Sequence, residues 1–494
     1  MKNIIKTTFI TLLILGASSC SDEYFDVNTP SGTVQEDALR MKDLLAPVIY
    51  RTVQGQYSAA ETFGNYTQYF TGWGGLASGE TTASGLWTNF YLYGLPNILT
   101  IKEKAAALNA TRYTAVADIL TAINLGIVTD TWDNVPYSQA ALGVDNPSPS
   151  FDSQQEIYSS IFGLLDNAIA ILETPNTSIY ELSNDDLIYQ GNMDKWLRAA
   201  YTIKARYQLH LVSAGTVSPN DVLITIEKGF TSNDDDFQMN YTDRNINPRY
   251  AQEVVARGQG NFHNDLASQL VSSMNGDYYP FQTTALTVDP RLPLFGELPA
   301  GSTEWKGYVS GGAGASPDGT PANARFLTDG YYTSIDSPIT IITYGEALFI
   351  KAEAAFLANG GTTTSTGSTA IAYNAYLDGI MASMNKFEAN GSAYLADPAI
   401  AVGESGLMLH HIMKEKYIHN FLNPETFVDY RRYDFSDDVF VGLTIREEAD
   451  SSGEYAGEWF RRASYPSTEV TRNRVAVEAN RQTPVTPVWW DAQN

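Results

Sequence analysis

Apolar residues recur at helical spacing in two separate stretches of the chain, and this periodicity limits the fold more than any other feature. In the first stretch Val116, Ile119, Leu120, Ile123 and Ile127 form one stripe, and Ile157, Ile161, Leu164, Leu165, Ala168, Ile169 and Leu172 form a second. Trp196, Ala200, Ile203 and Tyr207 begin a third. In the second stretch Tyr344, Ala347, Leu348, Ala352, Ala355 and Phe356 are followed by Tyr373, Leu377, Ile380 and Met384, then by Leu409, Met413 and Tyr417. Steps of three and four residues keep such side chains on one helical face, so each run predicts an amphipathic helix. Start signals agree. Ser153 with Glu156 forms a capping box ahead of Ile157, and Asn192 or Asp194 caps the helix carrying Trp196.

Successive helices begin about 30 to 40 residues apart, the spacing of stacked helix-turn-helix units, and Ala352, Ala354 and Ala355 permit close helix approach. The expected fold is all-α, a tetratricopeptide-like helical repeat scaffold with long irregular loop-rich insertions. Residues 20–494 are read as one domain, with 20–213 and 340–422 mainly helical. Residues 214–339 and 423–494 are read as the loop-rich ligand and lid portion, because loops this long in a compact protein usually carry function.

The first residues read differently. Lys2 and Lys6 precede an apolar run from Phe9 to Leu15, and Gly16, Ala17, Ser18 and Ser19 then lead into Cys20, the one cysteine. That order predicts a signal peptide over residues 1–19. Small residues running into a cysteine resemble a bacterial lipobox, which makes Cys20 the expected lipid anchor. Ser21, Asp22, Glu23 and Asp26 resemble the acidic signal that sends some Gram-negative lipoproteins to the outer surface of the outer membrane. No later run approaches the about eighteen apolar residues of a membrane span.

Composition removes several function classes. Against 31 Lys and Arg stand 56 Asp and Glu, a net charge of -25 that repels nucleic-acid phosphates. A single cysteine builds neither a disulfide framework nor a Cys-based zinc site. His411, Glu415 and His419 share one helical face at a spacing that suits a metal, but Lys414 and Lys416 beside them favour a solvated face, and no metal is assigned. Neither a Gly-x-Ser-x-Gly elbow nor a phosphate-cradling glycine loop occurs, and no cofactor is implied. A glycosidase carboxylate pair is set by separation in space and stays open.

Aromatic residues reach 12%. From Tyr66 to Tyr93 the rings interleave with Gly72, Gly74, Gly75, Gly79 and Gly85. A flat indole or phenol face matches the C–H face of a pyranose, and amide side chains bond its hydroxyls. The candidate ligand-binding residues are Trp73, Trp87, Tyr91, Trp305 and Tyr331, with Asn89 as hydroxyl partner.

Seven segments in order resemble the SusD/RagB family of outer-membrane nutrient-binding lipoproteins, in its SusD-like branch. They are the Cys20-Ser21-Asp22 start, DTWDNVPYS (130–138), NMDKWLRAAYTIKAR (192–206), DPRLP (289–293), IITYGEALFIKAEAAF (341–356), FVDYRRYDF (427–435) and FRRASYPSTEVTRN (460–473). PVWWD (487–491) follows these seven near the end of the chain. The resemblance implies a noncatalytic helical receptor beside a SusC-like TonB-dependent transporter, acting as a hinged lid that captures an oligosaccharide. A peptide-capturing lid of the same family and a surface glycoside hydrolase are the alternatives. Lys195 with Trp196, Glu346 with Glu353, and Arg431 with Arg432 are read as internal ion pairs and packing, and Trp489 and Trp490 as rings that tuck the tail onto the body.

Overall fold

The computed structural model describes residues 38–72, 80–261, 264–310, 323–445 and 454–491. Cys20, the signal segment and Trp73 lie outside these residues. Helix α1 (Met41–Phe63) leads to a short strand β1 (Phe70–Gly72). A helix then starts as α2 (Ser84–Trp87), passes through a π-helical stretch (Thr88–Gly94) and continues as α3 (Leu95–Leu108). Helices α4 (Thr111–Trp132), α5 (Gln154–Glu173), α6 (Met193–His210) and α7 (Pro219–Ile226) follow. The short strands β2 (Phe237–Met239), β3 (Asn264–Leu266), β4 (Gly296–Glu297), β5 (Arg325–Phe326) and β6 (Ile339–Ile342) occupy the next stretch. The chain returns to helix with α8 (Tyr344–Ala358), α9 (Ala370–Lys386), α10 (Leu409–His419) and α11 (Glu425–Arg432).

Each apolar stripe lies on one of these helices, and the helical scaffold follows from burying the stripes against one another. Helix α4 packs on α5, α5 on α6, α6 on α7, and α8 on α7, α9 and α10. Ser153 accepts from the Glu156 N–H while the Glu156 carboxylate accepts from the Ser153 N–H, so α5 starts on the predicted capping box. Asn192, rather than Asp194, caps α6.

Helix α4 departs from the amphipathic pattern because α1, α3, α5 and α6 surround it. Polar residues along it are therefore enclosed, and each needs a partner. Asn124 donates to Thr52 Oγ1 at 2.8 Å, and Asp118 pairs with Lys102 at 2.7 Å.

Strands in the loop-rich portion are two to four residues long, too short to show alternation in the sequence. Four form an antiparallel sheet in the order β1-β3-β5-β4, with Phe70 opposite Leu266 and Arg325 opposite both Asp265 and Glu297. β2 pairs with β6.

Of the motif residues read as internal, Trp196, Glu346, Glu353, Arg431, Arg432 and Trp490 are buried, whereas Lys195 is half-buried and donates to the Asp234 carbonyl instead of pairing with a carboxylate. Glu346 meets Arg206 at 2.6 Å, and Glu353 meets Arg432 at 2.7 Å and Lys416 at 3.4 Å, all of them buried. Arg431 donates to the Asp130 carbonyl at 2.7 Å and stacks 4.8 Å from the Trp490 ring. The Trp490 indole donates to Asp130 Oδ1 at 2.8 Å, which fixes the tail into the body. Among the described residues, no helix is long and apolar enough to cross a membrane.

Candidate ligand-binding surface

The ring-rich segment lies across α1. A Cβ on Gly85 would collide with the Ser58 hydroxyl, so the absence of a side chain there brings α2 close to α1. The π-helical stretch that follows widens the turn, a distortion common at functional positions. It aims Asn89 at α1: Asn89 Nδ2 donates to the Gly85 carbonyl at 2.9 Å, and Asn89 Oδ1 accepts from Arg51 Nη1 at 3.3 Å. The Arg51 guanidinium stacks 4.1 Å from the Tyr93 ring centroid and 5.7 Å from that of Tyr50. Tyr93 is 41% exposed and makes no ring-to-ring contact among the described residues.

Trp87 corrects the expectation of an open platform. It is only 6% exposed, with Trp132 edge-on at 5.1 Å, Tyr91 at 4.4 Å, and Phe151 and Tyr465 each at 6.3 Å. Its glycine neighbour packs against α1 instead of opening the ring to water. Tyr91 is half-buried between Trp87 and Phe90, and burial pushes its phenol well above the ordinary value. Among the described residues its hydroxyl has no bonding partner.

Trp305 and Tyr331 stand elsewhere. Half-buried Trp305 packs over the sheet at Gly296, where a Cβ would lie 2.5 Å from Leu266 Cδ1 and 3.5 Å from the indole. Tyr331 is held edge-on by Tyr332 and Phe387, each at 5.0 Å, with Lys386 Nζ 5.2 Å from its ring. No ring contact joins Trp87, Trp305 and Tyr331 among the described residues. Trp73 follows β1 in sequence and lies outside them.

The face carrying His411, Glu415 and His419, expected to be solvated, is instead enclosed at Lys414, Glu415, Lys416 and His419, and its three candidate ligands do not converge. Glu415 bonds Arg291 at 2.7 Å and Tyr394 at 2.6 Å, His419 Nε2 meets Thr343 Oγ1 at 2.6 Å, and His411 Nδ1 accepts from the Met408 N–H at 3.0 Å. Among the described residues, no three His, Cys, Asp or Glu side chains are placed to hold a metal ion. One carboxylate is tuned near neutrality. Burial, working against Arg249 and with Glu61, pushes Glu253 up to about 7. Glu253 is fully enclosed and accepts from the Asn264 N–H at 3.2 Å and its amide at 2.5 Å, so it anchors the start of β3 rather than facing a cleft.

Residues 33–466 match the model of a family described as starch-binding associating with outer membrane. The chain belongs to the SusD-like family. Solved structures share its fold along almost their whole length. A SusD/RagB family protein from Bacteroides thetaiotaomicron aligns with a TM-score of 0.68 at 22% identity, covering 92% of this chain and 99% of that one. A chitin-binding protein aligns at 0.70 and 22% identity over 92% and 100%, and a chitin-binding SusD homolog from Flavobacterium johnsoniae at 0.69 and 21% over 91% and 98%. At these identities the likeness establishes the SusD-like helical scaffold. No curated protein matches the sequence.

Proposed function

We propose that this SusD-like protein is a cell-surface lipoprotein that captures oligosaccharide and delivers it, as a lid, to a SusC-like TonB-dependent transporter, without catalysing a reaction itself. The family match over residues 33–466 carries this reading. Relatives of the same fold that bind chitin support a carbohydrate in preference to a peptide. Cys20 is the proposed lipid anchor. Several acyl chains on one cysteine would make residence at the outer membrane lasting, since a single chain holds only marginally.

Trp73, Trp305, Tyr331 and Tyr91 are the proposed ring contacts, with Asn89 as hydroxyl partner and Trp87 supporting from within. By analogy with base stacking, each ring contributes about 1 to 3 kcal/mol, and ordering costs leave two or three rings with micromolar to millimolar affinity. Weak capture suits release into a transporter.

The test combines native affinity electrophoresis in a panel of polysaccharides with fractionation of cells carrying the wild type or Cys20→Ala. Retardation by at least one glycan, outer-membrane residence lost in Cys20→Ala, and co-purification with a barrel protein are the expected outcomes. A fatty-acid-free protein in the periplasm or medium that no glycan retards would overturn the reading.

A further inference from the structure

We propose that Arg51, Asn89 and Tyr93 form a subsite for a carboxylate-bearing pyranose, that is, a uronic acid unit of the captured glycan. This rests on the glycan-capture reading above and gives it a sugar class.

Arg51 differs from the arginines that the fold uses as internal ion pairs in a chain with 56 acidic side chains. Arg206, Arg291 and Arg432 each meet a carboxylate within 2.7 Å. No carboxylate among the described residues pairs with Arg51, and its one side-chain hydrogen bond runs from Nη1 to Asn89 Oδ1. With Nη1 engaged, the edge formed by Nε and Nη2 is left free. That edge presents two parallel N–H donors, the geometry that accepts a carboxylate through both oxygens.

The guanidinium is also held before any ligand arrives. Stacking on Tyr93 at 4.1 Å and the bond to Asn89 fix its plane, so binding costs less side-chain freedom than it would for a loose surface arginine. Tyr93 supplies the second element of recognition. Arg51 covers part of the ring, and the 41% exposure leaves the remainder open to the C–H face of a sugar. A uronate stacked there sets its carboxylate against the arginine edge, whereas a neutral sugar uses the ring and leaves the fork unfilled. The acidic surface opposes this only weakly, because charges beyond about 8 Å are screened at physiological salt.

Calorimetry on the mature protein decides the matter, with trigalacturonate and a glucuronate-containing disaccharide as probes and maltotriose and chitotriose as neutral controls. The wild type should favour the uronates. Arg51→Lys keeps the charge and removes the fork, so the ratio of uronate to neutral affinity should fall about tenfold. Tyr93→Ala should weaken uronate binding as well, with a melting temperature close to the wild-type value. An unchanged ratio in Arg51→Lys, or neutral glycan binding by a wild type that takes no uronate, overturns the subsite and leaves the capture reading standing. A wild type that binds no glycan of either class removes both. A glutamate-containing tetrapeptide bound as tightly as trigalacturonate overturns the sugar class.

Discussion

His210 Nε2 lies 2.6 Å from Glu425 Oε1 in a region closed to solvent, tying α6 to α11. Tyr158 completes the arrangement, 2.8 Å from His210 Nδ1 while donating its own proton to Asp130 at 2.7 Å. Burial alone would strip the ring of its charge, but Glu425 and Asp130 overcome that and hold His210 at about 9. Burial likewise disfavours the Glu425 carboxylate, and His210 with Arg206 nevertheless holds it at about 2.

The direction of the pH dependence follows. A histidine raised in the folded state stabilises fully below its unfolded value near 6.5, and that contribution fades as pH climbs through 9. A depressed carboxylate contributes above its unfolded value near 4.5 and fades as pH falls toward 2. The pair therefore contributes most between about pH 4.5 and 6.5, and His210 should cost on the order of 3 kcal/mol of stability between pH 6.5 and 9. Urea unfolding across that range measures it. His210→Gln should flatten the loss, and a slope as steep as the wild type's would contradict this account.

Buried and exposed ion pairs should behave differently on mutation. Glu353 sits between Arg432 and Lys416, which also share Asp429 at 2.6 and 2.8 Å. Glu353→Gln strands buried positive charge and should cost about 3 to 5 kcal/mol in chemical unfolding. Glu478→Gln breaks the exposed contact with Arg474, which solvent screens, and should leave the unfolding midpoint nearly unchanged.

Trp87 and Trp305 separate folding from binding. Trp87 is enclosed by four rings, so Trp87→Ala should cost about 3 to 5 kcal/mol and lower the melting temperature. Half-buried Trp305 loses less surface contact, so Trp305→Ala should keep most of the stability while reducing retardation in polysaccharide gels. Unchanged retardation in Trp305→Ala would move the glycan contact away from the sheet.

The scaffold was legible because periodicity is local. Ile157 to Leu172 announces α5 whatever it packs against, and Ser153 with Glu156 marks its start. What the sequence hid is long-range. Arg206 meets Glu346 across 140 positions, and Arg51 meets Asn89 across 38, so neither pairing leaves a trace in spacing. Trp87 misled for a related reason. Glycine beside a ring reads as exposed backbone, yet here Gly85 serves close helix packing, and only the path of α1 reveals it.

Glu253 adds a pH dependence of its own in the enclosed cluster with Glu61 and Arg249. Its pKa of about 7 lies above the ordinary carboxylate value, so the protonated acid is the form that the fold favours. Stability from this group is complete below its unfolded value near 4.5 and is lost as pH rises through 7, the same direction as for His210 but at lower pH. Glu253→Gln removes the charge that burial penalises. It keeps an oxygen for the Asn264 N–H, the Asn264 amide can turn over to accept from the new donor, and the Gln252 amide, which gives up a 3.3 Å bond to the replaced oxygen, keeps its 3.0 Å bond to Glu61. At pH 8 the variant should therefore be more stable than the wild type, by about 2 kcal/mol, while at pH 4 the two should unfold at nearly the same urea concentration. A variant destabilised equally at both pH values would mean that the carboxylate is held ionised in the folded protein and that Arg249 outweighs burial.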